Sequence, residues 1–92
     1  MDLQAKLAML MDLAESVGIP IRRVPRGTDL ADGRGGAVVR LRGITMVFLD
    51  PLASPADQIS VLAEVLRDRE EIQNRFLPPE IREALEGGPD RA

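Results

Sequence analysis

The sequence contains no cysteine and no histidine. Without cysteine, the chain can form no disulfide, no thiolate nucleophile and no thiolate metal site. Without histidine, it lacks the commonest transition-metal ligand and the side chain that normally titrates near neutral pH. A Ser–His–Asp or Cys–His relay is therefore excluded. The groups left for chemistry are carboxylates, hydroxyls, arginine and one lysine, Lys6.

Aromatic side chains are also scarce, because the chain has two Phe and neither Trp nor Tyr. Nucleotide bases stack on aromatic faces, so this composition argues against nucleic acid as a partner. Both phenylalanines are predicted to serve packing instead. We expect Phe48 in the core and Phe76 as a hydrophobic anchor before Pro78 and Pro79.

The chain has no apolar run near the roughly 20 residues that a transmembrane helix requires. Its N-terminus also lacks the basic and apolar regions of a signal peptide, so we expect a cytoplasmic protein without a membrane contact. At 92 residues, one domain is expected. We predict that this domain covers residues 1–86 and that residues 87–92 form a flexible tail. Lys6 is the one lysine among 12 basic residues, a bias typical of a GC-rich, bacterial coding sequence.

Three helices are predicted. The first covers residues 3–17, where apolar residues recur at spacings of three and four and Gly18 follows as a C-terminal stop. The second begins at Ser54-Pro55, a capping residue followed by a proline suited to the first helical position. The charged residues 67–71 continue or end it, and a last short helix begins at Pro78. The first helix has a wide apolar arc, which either completes the core or forms a contact surface; the residues that widen it are Met1, Met9, Met11 and Leu13.

Three strands are predicted, over residues 19–24, 37–41 and 44–49. Arg42-Gly43 joins the second to the third as a tight turn. Because both faces of residues 44–49 are apolar, this strand is expected to be central or covered. Residues 25–36 are predicted to form a mobile loop. The fold expected is α+β, with a small three-stranded antiparallel sheet, helices on one or both faces and the order α-β-β-β-α-α.

This order of elements, together with a few local sequences, resembles the front half of the ImmA/IrrE-type zinc metallopeptidases. The local sequences are Val17-Gly18-Ile19, Met46 to Asp50, Gln58, and Leu62-Ala63-Glu64. In that family a comparable helix and hairpin precede a helix that bears the zinc motif His-Glu-x-x-His. The resemblance places Glu64 at the general-base position, and Ala63 and Arg67 at the two histidine positions. Neither residue can bind zinc, so the resemblance implies a degenerate fold that has lost its activity.

Two further groups of residues are candidate binding sites. Residues 22–42 hold six arginines against two aspartates, and the Gly-rich stretch from Gly27 to Gly36 lies within them. The stretch matches no phosphate-binding motif, so a connecting loop is the favoured interpretation. The arginines either bind an anion weakly, through Arg22, Arg23, Arg26 and Arg34, or lie on a solvent-facing sheet surface. In the second case Arg22, Arg40 and Arg42 would pair with the acidic C-terminal half.

Carboxylate pairs such as Asp68/Glu71 and Glu70/Glu71 match no calcium-loop pattern, so a solvated helix end is expected there. We therefore predict no catalytic residue, no metal ligand and no cofactor. The function expected is that of a small non-enzymatic protein acting through protein contacts, as a homodimer or with an operon-encoded partner. An inactive zincin relative and a weak anion binder are the alternatives.

Overall fold

The structure is a computed structural model that describes residues 2–23, 35–67 and 69–86. It is an α+β fold with a three-stranded mixed sheet and four helices. The elements in chain order are α1 (Leu3–Ser16), β1 (Ile21–Arg23), β2 (Gly36–Leu41), β3 (Ile44–Leu49), α2 (Pro55–Arg67), α3 (Glu70–Gln73) and α4 (Pro79–Glu86). Val24 and the predicted loop and tail fall largely outside the described residues.

Local sequence explains both ends of α1. The Asp2 carboxylate accepts a hydrogen bond from the Ala5 backbone N–H at 2.7 Å and caps the N-terminus. At the C-terminus, Gly18 has a φ of +81°. Its N–H and that of Ile19 donate to the carbonyls of Glu15 and Ala14, the pattern of a Schellman motif. The predicted stop at Gly18 is confirmed.

The hairpin between β2 and β3 has the predicted two-residue turn. Arg42 and Gly43 have φ values of +54° and +81°, which define a type I′ turn whose twist matches that of the strands. This turn sets the register, with Leu41 opposite Ile44 and Val38 opposite Val47. β3 is the central strand, as its two apolar faces predicted.

The prediction of a strictly antiparallel sheet is wrong, because β1 runs parallel to β3. β1 lies on the other side of β3 from β2, so the strand order is β1-β3-β2. A long connection separates β1 from β2 in the sequence, whereas a tight turn joins β2 to β3. Only the hairpin pair is therefore required to be antiparallel neighbours, and β1 can occupy the free edge of the more apolar β3. Pro20, which lacks an N–H, directly precedes this short edge strand, as expected.

The number of helices also differs from the prediction. After α2 ends at Arg67, the chain forms the extra helix α3 within the charged segment. Ile72 explains why, because it is 1% exposed and anchors this otherwise polar turn in the core. A single buried residue gives no periodic pattern, so the sequence alone did not distinguish α3 from the end of α2.

In the described residues, α1 and α2 pack against one face of the sheet, and α4 packs on these two helices. Alternate residues of the strands enter the core on this side, namely Ile21, Val38, Val47 and Leu49. The wide apolar arc of α1 belongs to the same core. Leu13 is buried, and Met9 and Met11 pack against the core while partly buried. The arc therefore completes the core and is not a separate contact surface. No helix in the described part of the chain is long and apolar enough to cross a membrane.

Candidate functional site

The face of the sheet that points away from the helices is apolar, and no residue on it is buried. We call this surface the open face; it consists of Ala37, Val39, Leu41, Ile44, Met46 and Phe48, with Arg22 beside them. Cross-strand register places them together, because Leu41 pairs with Ile44, Val39 with Met46, Ala37 with Phe48, and Arg22 with Phe48.

Exposure rises along the open face toward the hairpin turn. Leu41 is 67% exposed and Ile44 is 57% exposed, and these two residues flank the turn. At the other end Phe48 is partly buried, while its neighbours in β3, Val47 and Leu49, are 0% and 2% exposed on the helix side. The contrast between adjacent residues shows that the strand is pleated between a closed core and an open surface.

The register decides which face of β2 is directed outward. One interpretation of the sequence placed Arg22, Arg40 and Arg42 together on a solvent-facing surface of the sheet, and the structure does not bring them together there. In the structure Arg40 pairs with Thr45 and shares the helix side with Val38, whereas Val39 and Leu41 lie on the open face. The type I′ turn dictates this pairing, and Val47 and Leu49 of β3 dictate which side enters the core. The apolar residues of β2 are therefore directed outward.

The charges on the sheet are all positive. The strands contain Arg22, Arg23 and Arg40 and no acidic residue, and Arg42 lies in the hairpin turn. The Arg22 guanidinium donates to the carbonyl of its own neighbour Ile21 at 3.3 Å. Among the described residues no acidic side chain pairs with Arg22, Arg40 or Arg42, so the expected pairing with the acidic C-terminal half is not found. The four arginines do not form one cluster, because Arg22 lies on the open face and Arg23 and Arg40 on the helix side.

Neither phenylalanine is in the core. Phe48 lies on the open face, and the prediction that it is a core residue is wrong. Phe76, in the turn between α3 and α4, is 90% exposed, so it is not the predicted hydrophobic anchor. Its neighbour Leu77 takes that position with 6% exposure. Phe76 and Leu77 are adjacent and both apolar, so the sequence pattern does not show which of the two side chains points into the core.

The positions aligned with the zinc motif lie on α2, and each has a different environment. Ala63 is 2% exposed and packs in the core, whereas Glu64 is exposed to solvent. Arg67 Nε donates to the Leu85 carbonyl at 2.7 Å and so caps the last turn of α4. Within the described residues no three acidic side chains converge on a point that could hold a metal ion.

The remaining sequence candidates have structural explanations or lie outside the described residues. Ser54 caps α2 as predicted, because its Oγ accepts from the Asp57 N–H at 3.1 Å. Of the Gly-rich stretch only Gly35 and Gly36 are described, and a methyl group on Gly35 would overlap the backbone carbonyl of Asp57. Gly35 therefore allows close packing of the start of β2 against α2, and Gly36 allows its close packing against β3. Asp68 is not described, and Glu70 and Glu71 are exposed.

A shallow depression of about 220 Å³ lies on the helix side, where β1 and β3 meet the start of α2. Its lining includes Gln4, Arg23, Leu49 and Gln58. The Gln58 amide is already engaged, because it donates to the carbonyls of Asp50 and Ala53 at 3.0 and 3.1 Å. The depression therefore offers a ligand mainly the exposed Arg23, and it is a weaker candidate site than the open face.

Comparison with known proteins adds no assignment: no family model, no curated protein and no solved structure matches the chain.

Proposed function

We propose that this chain is a small non-enzymatic protein that acts by binding another protein through the open face of its sheet. The observation that carries the proposal is the exposure of Val39, Leu41 and Ile44 on one continuous surface. Exposed apolar residues scattered singly are ordinary, but a contiguous apolar surface on a small domain marks an interaction site. An exposed apolar surface lowers the solubility of a protein, and a binding function would explain why such a surface is present.

The position of the open face in the fold supports the same role. The helices already supply a complete core on the other side, where Leu10, Leu62 and Leu66 are 0% exposed. The domain does not depend on the open face for its own stability, so the residues there are free to serve a partner. We propose a cytoplasmic location, where a homodimer partner or an operon-encoded protein would supply the covering surface.

Site-specific photo-crosslinking in cells of the source organism tests this role. A photoreactive phenylalanine analogue would replace Leu41 on the open face and, as the matched control, Glu64 on the helical side. We expect one dominant protein adduct from position 41, identified by mass spectrometry, and none from position 64. The additional change Ile44→Asp should abolish the adduct. Equal adducts at both positions, or none at position 41, would contradict the proposal.

An inactive zincin relative is the alternative that the shared order of elements from α1 to α2 supports. Under this alternative Glu64 would be a remnant of the general base. Metal analysis does not distinguish the two, because Ala63 and Arg67 offer no zinc ligand in either case. The crosslink from position 41 does, since an inactive relative without a binding role would give no dominant adduct. A weak anion binder is the second alternative, and its residues would be Arg22 and Arg23, which are exposed, with Arg26 and Arg34, which lie outside the described residues. It requires binding to generic DNA or RNA that falls steeply with salt.

A further inference from the structure

We infer that the open face binds an amphipathic α-helix of a partner protein, with acidic residues near both ends of the helix's apolar stripe. This inference rests on the binding role proposed above and specifies the chemistry of the partner. It is carried by two features of the described residues, namely the shape of the open face and the charge around it.

The shape of the open face fits a helix. Three strands span about 14 Å and six residues of a strand extend about 20 Å. A helix is about 10 Å wide, and about 13 residues of it extend 20 Å. A helix laid along the strands would therefore cover the apolar strip from Phe48 to Ile44. It would form a third layer on a sheet that already has helices on its other side.

The charge around the open face calls for an acidic partner. Arg22 lies beside Phe48 at one end, and Arg42 lies in the turn at the other end. Neither pairs with an acidic side chain of the described residues, and no acidic residue occurs on the three strands. The net charge of the whole chain is −3, so this basic surface is opposite to the overall charge. Acidic side chains on a bound helix would meet unpaired arginines at both ends.

The same features disfavour a second copy of the chain as the occupant. Face-to-face pairing about a twofold axis would bring arginines from both copies to the rim of one apolar contact. Acidic residues of a partner helix avoid this repulsion, so the charge of the rim favours the helix over a second copy.

Binding of synthetic helical peptides to the full chain tests the inference by fluorescence anisotropy. Three labelled peptides of about 18 residues, five helical turns, would share one leucine stripe at positions i, i+3, i+4 and i+7. The first has glutamates near both ends of the stripe, the second has lysines at the same positions, and the third is the first with a central proline that breaks the helix. We expect the glutamate peptide to bind at least about tenfold more tightly than the lysine peptide. Its affinity should fall as salt rises, and the proline peptide should not bind.

Variants of the chain locate the binding. Leu41→Ser should abolish binding of the glutamate peptide, and Arg42→Gln should weaken it several-fold. Lys6→Gln removes a positive charge from α1 and is the matched control, which should leave the affinity unchanged. Equal or tighter binding of the lysine peptide would overturn the acidic partner, and undiminished binding of the proline peptide would overturn the helix.

Two further results separate this inference from the proposed function. If position 41 crosslinks one protein in cells but no helical peptide binds, the binding role stands and the helical partner is overturned. If light scattering shows a dimer that Leu41→Ser dissociates, the occupant is a second copy and the inference is overturned. A monomer that binds the glutamate peptide supports both.

Discussion

The assignment of the two sheet faces can be tested with one substitution made at two sites. Leu49 and Leu41 belong to neighbouring strands, but Leu49 is 2% exposed on the helix side and Leu41 is 67% exposed on the open face. Truncating a buried leucine to alanine costs about 2–5 kcal/mol, because it loses transfer free energy and leaves a cavity. We therefore expect Leu49→Ala to lower the free energy of unfolding by about 3 kcal/mol.

For Leu41→Ala the same reasoning gives a much smaller cost. Fully burying a leucine side chain contributes about 1.5–3 kcal/mol, and only about a third of Leu41 is covered, so the loss should stay below about 1 kcal/mol. Urea unfolding followed by far-ultraviolet circular dichroism measures both, since the chain has no Trp for fluorescence. In thermal scans of a domain this size, 1 kcal/mol corresponds to about 4–8 °C. Similar costs at the two sites would refute the assignment of faces.

Three further substitutions test the local structure around α2, and a fourth, in the hairpin turn, serves as a comparison for the first. Gly35→Ala should lower the free energy of unfolding by about 3 kcal/mol, because the new methyl would overlap the first turn of α2. In Gly43→Ala the methyl meets open space, so the cost should be only the about 1 kcal/mol of a positive φ in alanine. A reversed order of their urea midpoints would contradict that packing. Ser54→Ala should cost about 1 kcal/mol in urea unfolding through the lost cap, and no change would show that the cap is dispensable. Gln58→Ala should cost about 1 kcal/mol, because it removes the side-chain donor to the Ala53 carbonyl and one of the two donors to the Asp50 carbonyl, which keeps the Ala53 N–H. Amide hydrogen exchange in the β3–α2 connection should become faster, and unchanged exchange would count against this role.

Much of the fold follows from short-range signals in the sequence. The ends of α1, the hairpin at Arg42-Gly43 and the start of α2 at Ser54 were all predicted, because each depends on a cap or turn residue whose effect is local. The direction of β1 was predicted wrongly, because it is parallel to β3 and not antiparallel. The direction depends on which strand β1 pairs with. The alternation of apolar and polar residues does not reveal it, because this alternation is the same in parallel and antiparallel strands.

The candidate site was the part that the sequence disclosed least. In β2 both Val38 and Val39 are apolar, so the pattern alone does not show which one enters the core. The turn register and the burial of Val47 decide it, and they direct Val39 and Leu41 outward. An arginine in a strand usually indicates the solvent-facing side of a sheet. Arg40 does not follow this expectation, because it lies on the helix side of β2, at a position where it is still exposed. An exposed apolar surface therefore has the same sequence pattern as a buried strand face.

The most direct measurement of the central claim is photo-crosslinking from position 41 in cells, with position 64 as the control. The account predicts a single dominant protein adduct at position 41 that Ile44→Asp removes, and no adduct at position 64. The absence of an adduct at position 41, or the same adducts from both positions, would contradict the claim that the open face of this sheet is a protein-binding surface.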